Sequence, residues 1–302
     1  MTNGIKADRA LLRALAGAGL VDVAFHVDTT QQRKGFTSER ELNTVRERYI
    51  DNARGLGLSV MFNTSVHGGN VHEVESLCCF FRRPGDVVRT ASFQLQADTG
   101  RAPLRGRDER VSSDAIWRFI AKGAGTTLNT DAVQPGHRDC CSRCGLCLVI
   151  GERALDLLDD GTFVAELQRV SVGVHLNRGR PLRILGKGTR WLATHPRWIG
   201  PIIAWGLRKA QQALPALVAA RGRANTLSFI THDFMHPCSL ERSRITACVF
   251  KVMTSEGPIS MCLHNTRRDE FTTQPVSLAH GALFDPMNGL RGPVAQSGNL
   301  RP

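Results

Sequence analysis

Residues 58–66 read LSVMFNTSV, a short apolar run that ends in small polar residues. A run of this length after a glycine-containing turn is typical of a buried strand, because helices need ten or more residues. Similar runs lie on either side of it, VDVAFHVD at residues 21–28 and TASFQLQA at residues 90–97. The sequence therefore predicts three buried strands, and the segments between them decide how the strands are joined.

Helical patterns fill the segments between these runs. Residues 37–57 are one such segment, which opens with a capping box of Ser38 and Glu41 and closes on glycine. Strands that alternate with helices through short loops form βα units, so we expect a parallel sheet. The predicted fold class is α/β, with a partial (βα) barrel of the TIM type followed by a cysteine-rich C-terminal α+β region.

Polar residues stand where the predicted strands end. Asp28 closes the first strand, Asn63 lies late in the second, and Gln94, Gln96 and Asp98 lie late in the third or just after it. Ligand sites in parallel sheets lie at the carboxyl ends of the strands, so these residues are candidates for one binding rim. Each of them could equally be an ordinary loop or cap residue.

The composition limits the class of protein. The chain has 302 residues, of which 42% are hydrophobic and 22% charged, which is typical of a globular protein and not of a disordered or fibrous one. It contains no apolar run of the ~18 to 20 residues that span a membrane and no clear secretory leader. A cytoplasmic location is the expectation that follows, and clustered cysteines in that compartment favour metal or catalytic chemistry over disulfides.

Four of the nine cysteines crowd into residues 137–147, HRDCCSRCGLC. The C-x2-C-x2-C spacing of Cys141, Cys144 and Cys147 favours a tight loop around a [4Fe-4S] cluster, with further thiolates from elsewhere. The candidate metal ligands are Cys140, Cys141, Cys144, Cys147, Cys238, Cys248 and Cys262.

A structural zinc site is the main alternative, because zinc also takes four thiolates. Zinc sites usually show two separated pairs of cysteines, so three cysteines at two-residue gaps favour the cluster. Cys248 and Cys262 are expected to approach each other across a β-turn near Gly257. Cys78 and Cys79 lie in a predicted helix and are interpreted as structural.

Positive charge is concentrated in one segment. The formal net charge is +12, and residues 167–232 contain eleven Lys and Arg but neither Asp nor Glu. Within this segment Trp191, Trp198 and Trp205 recur every seven residues, so their indoles are expected to share a helical face. Residues 178–223 are thus a candidate for contact with an anionic membrane surface. An insertion packed on the barrel with a solvated basic face is the alternative, and nucleic acid is the least favoured partner.

These features divide the chain into five parts. In chain order they are a partial βα barrel, a cysteine-rich cluster-binding segment that includes a short helix at residues 151–161, a basic amphipathic helical insertion, a cysteine-containing β region and a loose tail. Their predicted boundaries are 1–135, 136–166, 167–232, 233–284 and 285–302.

Several stretches together resemble the radical S-adenosylmethionine (SAM) superfamily. TNG at residues 2–4 looks like the end of its third barrel strand, and VMFNTSVHGGNVHEV at residues 60–74 is similar to its fifth strand, loop and helix. HVDTTQQRKGF, SFQLQADTGR, HRDC and CVFKVMTSEGPISMCLHN look like the branch of tetraether lipid synthases and pterin-methylating enzymes, which carry auxiliary clusters. The resemblance covers about residues 2–270.

The resemblance implies a radical methylation or carbon–carbon bond formation on a hydrophobic, lipid-like substrate. It places Asn63, Gln94 and Gln96 at the cofactor and Asp28 at the substrate. The chain departs from the family in lacking C-x3-C-x2-C before Cys78, so a second polypeptide that supplies the SAM cluster is an expected partner. The alternatives are a non-catalytic iron–sulfur or electron-transfer subunit and, less favoured, a structural zinc protein.

Overall fold

The computed structural model describes residues 1–97, 111–132, 141–174, 181–254, 257–273, 275–278, 282–285 and 289–293. Two units divide the chain: residues 1–96 with 107–233, and residues 97–106 with 234–302. The helices are α1 Arg9–Gly17, α2 Asn43–Ala53, α3 Val74–Arg82, α4 Ser113–Ala124, α5 Gly161–Val170, α6 Pro181–Thr194, α7 Ile199–Ala219, α8 Arg242–Ala247, α9 Met261–Thr266 and α10 Arg268–Thr273. The strands are β1 Asp22–His26, β2 Ser59–Val66, β3 Val88–Leu95, β4 Ser142–Ile150, β5 Arg153–Asp156, β6 Asn225–Asp233, β7 Lys251–Thr254, β8 Gly257–Ser260, β9 Val276–Ser277, β10 Ala282–Asp285 and β11 Gly289–Pro293.

The first unit is built on a six-stranded sheet in the order β1-β2-β3-β6-β4-β5. Strands β1, β2, β3 and β6 run parallel, whereas β4 is antiparallel to both β6 and β5. Thr2 makes a further parallel bridge to Phe25 on the outer side of β1. The α/β prediction is confirmed as a mixed, mostly parallel sheet flanked by helices.

Helices α2, α3 and α4 cover one face of this sheet. Every second residue of the strands points to this face, and its large apolar side chain packs on the helices. Phe25 stacks on Tyr49 of α2 with 4.6 Å between ring centroids, and Phe62 stacks on Phe81 of α3 at 5.4 Å. All four rings are buried. Trp117 of α4 packs there as well and donates its indole N–H to a threonine of β6 at 2.9 Å. This layer is the main hydrophobic core.

The three strands predicted from short apolar runs are confirmed as β1, β2 and β3. The capping box is confirmed too, because the Glu41 N–H donates to Ser38 Oγ and the Ser38 N–H donates to the Glu41 carboxylate, each at 3.2 Å. The hairpin expected near Gly257 is formed by β7 and β8 in the second unit.

Two local predictions were wrong. The helix predicted at residues 151–161 is the short strand β5, because this segment turns back and pairs with β4 through Leu155 opposite Leu148. Within the cysteine-rich stretch predicted as a loop, residues 142–147 belong to β4, which pairs along most of its length with β6. The tail beyond residue 293 lies outside the described residues, as do Asp98 and Cys140.

A buried ion pair fixes the segment that connects β1 to α2. Arg46 donates to the Glu39 carboxylate at 2.5 Å and to the Val27 carbonyl at 2.8 Å, and the side chains of the pair are fully buried. The other Glu39 oxygen accepts from the Thr29 N–H at 2.9 Å and from Asn70 Nδ2 at 3.0 Å. The Glu39 carboxylate thus ties α2 to the loops that follow β1 and β2.

Replacing Arg46 by Met should lower the free energy of unfolding by about 3 to 5 kcal/mol, because it leaves the Glu39 carboxylate buried without its counter-charge. Adding Glu39→Gln should recover part of the loss, since a neutral amide costs less to bury. Urea denaturation measures both changes. Arg48→Met, at an exposed position on the same helix, is the matched control and should cost less than about 1 kcal/mol. Equal losses for Arg46→Met and the control would contradict the assignment.

Candidate functional site

The second face of the sheet is polar at the carboxyl ends of the parallel strands. Side chains at alternate positions point to this face, so the strand register aligns them in rows. One row contains His26, Asn63 and Ser92 on β1, β2 and β3. The next row toward the carboxyl ends contains Ser65, Gln94, His232 and Ser142. We name these two rows, with Asp28 and Gln96, the polar rim.

His26 is held between two neighbours at the start of the polar rim. Its Nε2 lies 2.7 Å from Asp28 Oδ2, and its Nδ1 lies 3.0 Å from Asn63 Nδ2. Both contacts are hydrogen bonds when the neutral ring donates its Nε2–H to Asp28 and accepts at Nδ1 from the Asn63 amide. We assign this tautomer of His26 from its two partners. His26 is a quarter exposed, so an imidazole fixed at both nitrogens faces the open side of the sheet.

Asp28 is fully buried and saturated with hydrogen bonds. Its carboxylate accepts from the Thr30 hydroxyl at 2.6 Å and from the Ser65 N–H at 2.8 Å, in addition to His26. Burial by itself raises the pKa of Asp28, but the hydrogen bond from His26, the charge that this ring carries when protonated, and the bonds from Thr30 and Ser65 lower it to about 2. Asp28 therefore orients His26, and its predicted direct contact with a substrate stays a prediction.

Two amide oxygens of the polar rim are buried without a hydrogen-bond partner among the described residues: Asn63 Oδ1 and Gln96 Oε1. Asn63 uses its Nδ2 on His26, which leaves its oxygen as an acceptor. A buried acceptor without a donor costs about 1 to 3 kcal/mol, so such atoms mark places where a bound molecule would add hydrogen bonds. Both residues belong to the cofactor set predicted from the resemblance, and Gln94 lies between them on β3.

The loop after β2 is held by Asn70, which follows Gly69. Its Nδ2 donates to the Ser65 carbonyl and to the Glu39 carboxylate, each at 3.0 Å, and its Oδ1 accepts from the His67 N–H at 2.8 Å. Asn70 is buried by these contacts. Its role in the described structure is to shape the loop that borders the polar rim.

Sequence reasoning missed His26, Ser142 and His232. Ser142 Oγ donates to the Thr231 carbonyl at 3.0 Å and lies 3.2 Å from His232 Nδ1. Burial lowers the pKa of His232, so the neutral ring is favoured. The two-residue spacing of His26 and Asp28 was a signal that both share a face. No sequence signal joined Ser142 to His232, because their strands are far apart in the chain.

The cysteines of β4 do not form one ligand set. Cys144 points to the face of the polar rim, whereas Cys147 points into the core and donates its thiol to the Leu227 carbonyl at 3.4 Å. A three-residue step along a strand reverses the face, so C-x2-C cannot wrap a cluster in this conformation. Burial raises the pKa of Cys144 to about 11 and that of Cys147 to about 12, so both side chains are thiols at neutral pH.

The remaining cysteines are dispersed among other elements. In the second unit, Cys248 donates to the Phe250 carbonyl at 3.1 Å, and Cys262 accepts from the Met235 N–H at 3.5 Å. Cys238 is exposed, and Cys141 precedes β4. The part of the chain that the structure describes contains no group of three or more His, Cys, Asp and Glu that could hold a metal ion. The described thiols therefore do not fit a cluster, and the cluster stays a prediction.

The three tryptophans of the basic segment cluster together, but they face inward. Trp198 and Trp205 pack on Phe163 of α5 at 6.1 and 6.0 Å between ring centroids, and Trp191 lies 6.4 Å from Trp198. Trp191 lies on α6, Trp198 in the turn before α7 and Trp205 on α7, so the rings come together across a break between helices and not along one helical face. Trp198 and Trp205 pack on α5, and the contact of residues 178–223 with an anionic membrane stays a prediction.

A cleft of about 710 Å³ opens at the opposite, amino-terminal edge of the sheet. Arg54, Arg82, Arg83 and Arg223 line it, which suggests anion binding. However, Arg82 donates to the carbonyls of Gly123 and Glu152, Arg54 pairs with Asp86, and Arg223 donates to the Ala220 carbonyl. Three of the four guanidinium groups are therefore engaged in holding the structure, and we assign no site there.

Asp28→Asn should lower stability in a pH-dependent way. The folded pKa of Asp28 is about 2 against an ordinary 3.8, so the ionised carboxylate stabilises the fold above pH 3.8 and this contribution is lost as the pH falls through about 2. The difference between wild type and variant should be at least about 2 kcal/mol at neutral pH and shrink toward pH 2. Urea unfolding across that range tests it. Asp22→Asn, at the exposed start of β1, is the control, and a difference independent of pH would contradict the role of the charge.

Native alkylation should separate the cysteines by their burial. Cys147, with a pKa of about 12, holds on the order of 1000-fold less thiolate than an ordinary cysteine and is closed to solvent. Iodoacetamide at neutral pH should modify exposed Cys238 and leave Cys147 and Cys78 unmodified until denaturant is added. Mass spectrometry of peptides measures the order. Modification of Cys147 as fast as Cys238 would place it outside the core.

Comparison with known proteins adds no relative to this picture. A scan against protein-family models and a search of curated proteins each found no match. The radical SAM resemblance therefore rests on the quoted sequence stretches alone.

Proposed function

We propose that this chain forms part of a radical SAM-type barrel enzyme in which the polar rim holds the adenosyl cofactor and a hydrophobic, lipid-like substrate is modified next to it. The parallel run of β1, β2, β3 and β6, with helices on one face and polar side chains on the other, supports the barrel part of the proposal. The chemistry is radical methylation or carbon–carbon bond formation, as the sequence resemblance implies.

The observation that carries the proposal is the pair of buried amide oxygens without partners among the described residues, Asn63 Oδ1 and Gln96 Oε1. Both lie at the carboxyl ends of parallel strands, where ligands of such sheets bind. SAM carries amino groups and ribose hydroxyls, which are hydrogen-bond donors of the kind that amide oxygens accept. The residues therefore fit this cofactor, with Gln94 between them as a further amide.

The His26 and Asp28 pair has a positioning role in this proposal. Asp28 fixes the ring of His26, and the ring accepts from Asn63 Nδ2, so the amide is held with its oxygen available to a ligand. When bound, SAM would supply the chemistry of hydrogen abstraction from an unactivated carbon. The chain's own residues bind and orient, and none of them is assigned a proton-transfer step.

No step of the proposal uses a cluster on Cys141, Cys144 and Cys147, because the strand geometry does not fit one. The family's reaction needs a reduced iron–sulfur cluster beside SAM. We therefore include in the proposal a second polypeptide that supplies the SAM cluster. The auxiliary cluster predicted from the cysteine spacing is a separate hypothesis.

The proposal predicts saturable binding of a SAM analogue that depends on the two amides. S-Adenosylhomocysteine, which is stable and needs no cluster, should bind in equilibrium dialysis. Asn63→Ala and Gln96→Ala should each weaken binding about tenfold, the loss expected for one hydrogen bond to a buried acceptor. Gln211→Ala, an exposed amide on α7, is the matched control and should leave binding unchanged.

Absence of saturable binding, or equal affinity of the rim variants and wild type, would reject the assignment of the polar rim. Thermal unfolding of each variant must accompany the dialysis, because Asn63 also bonds to His26. If Gln96→Ala is as stable as wild type and binds normally, the loss seen in Asn63→Ala reflects the fold alone and the proposal fails.

A further inference from the structure

Helix α7 exposes a continuous apolar stripe. Ile199, Ile203, Leu207, Leu214 and Val218 recur at spacings of four and seven residues, which places them on one helical face. Their exposed fractions are 41%, 55%, 60%, 60% and 72%. From Ile199 to Val218 the stripe is about 29 Å long at 1.5 Å per residue. Exposed aliphatic side chains aligned in this way are unusual on a solvated surface.

The stripe is not the face that packs on the rest of the unit. That face carries Trp198, Trp205, Lys209, Ala213 and Ala216, whose side chains turn toward α5, β4 and β5. Helical geometry separates the two faces by more than a quarter turn. The stripe therefore takes no part in the hydrophobic core. Helix α7 carries apolar residues both on its packed face and on its exposed face.

Helix α6 carries the same combination of exposed leucines and basic residues. Leu182 and Leu185 are 84% and 70% exposed, and Arg183, Lys187 and Arg190 lie on the neighbouring sector of the helix. Trp191 marks the packed sector through its contact with Trp198. The exposed surface of α6 is thus apolar on one side and basic on the next.

The charge around the stripe has one sign. Residues 167–232 contain no Asp or Glu, so no carboxylate of this segment lies beside the stripe. The two basic residues within α7, Arg208 and Lys209, pair with Asp160 at 3.1 Å and Asp159 at 2.5 Å, away from the stripe. Arg221 and Arg223, just beyond the helix, are exposed. The surface is complementary to an anionic and apolar partner.

We propose that the exposed faces of α6 and α7 dock on an anionic lipid bilayer. The aliphatic stripe enters the boundary between headgroups and acyl chains, and the basic side chains contact lipid phosphates. Each basic residue near such a surface contributes about 1 kcal/mol, and amphipathic helices that lie in the interface have this combination of faces. Among the described residues no helix is long and apolar enough to cross a membrane, so the contact is peripheral. The inference does not depend on the polar rim.

The exposed aliphatic stripe and the absence of carboxylates in residues 167–232 together favour a lipid surface as the partner. A protein partner would cover the stripe without requiring a surface free of carboxylates on the whole segment. A solvated helix would not retain five exposed aliphatic residues on one face. Indoles anchor many interfacial helices, but Trp198 and Trp205 pack on α5 here, so the aliphatic stripe takes their place.

Vesicle co-sedimentation of the full chain tests the inference. Wild type should bind phosphatidylcholine vesicles that contain phosphatidylglycerol and bind pure phosphatidylcholine vesicles less. The triple variant Ile203→Ser, Leu207→Ser and Leu214→Ser should bind the anionic vesicles at least about tenfold more weakly, because it removes three insertable side chains. Replacing Arg183, Arg190 and Arg221 by Gln should remove the preference for anionic lipid.

The matched control is Ala204→Ser, Gln211→Ser and Ala219→Ser, which changes three exposed positions of α7 outside the stripe. It should bind like wild type. The inference is overturned if wild type stays in the supernatant with anionic vesicles at low salt, or if the stripe variant binds undiminished. It is also overturned if sedimentation velocity shows a lipid-free dimer that the stripe variant abolishes. Dialysis with S-adenosylhomocysteine should be unaffected by the stripe variant, which separates this result from that of the polar rim.

Discussion

The buried carboxylate of Glu39 is the contact on which the candidate site depends. It joins Arg46 of α2, Thr29 after β1 and Asn70 after β2, three segments that the core alone does not fix. A charge buried so completely is tolerated only when its partners fill every direction. These partners set the path of both loops at the carboxyl ends of β1 and β2, and so the place where Asp28, His26 and Asn63 meet.

The pleat of the sheet imposes the second constraint. Side chains two residues apart share a face, so the apolar face made by Phe25 and Phe62 requires that His26 and Asn63 point to the other. For this reason the strands could be predicted from short apolar runs. For the same reason Asn63, Gln94 and Gln96 could be predicted from the sequence to lie at one rim. The His26 contact needed the register between β1 and β2, which no single segment encodes.

The same rule explains why the cysteine prediction was wrong in its local structure. The spacing of Cys144 and Cys147 was interpreted as a loop, but residue identity in a spaced motif says nothing about backbone conformation. The antiparallel pairing with β6, more than 75 residues later, converts the spacing into opposite faces. The seven-residue spacing of the tryptophans was interpreted as one helical face, but a break between α6 and α7 separates Trp191 from Trp205. The packing of Trp198 and Trp205 on Phe163 of α5 is a long-range contact that the period of the sequence does not contain.

The polar rim and the apolar stripe are opposite departures from what folding alone favours. At the rim, amide oxygens are buried without donors among the described residues; on α7, aliphatic side chains are exposed without cover. Each arrangement costs free energy in the isolated chain, and a bound molecule of the matching chemistry would offset it. Neither cost is needed to pack the helix-covered face of the sheet, where Phe62 and its neighbours are fully buried. The two surfaces therefore call for different partners, a hydrogen-bond donor at the sheet and an apolar anionic surface at the helix.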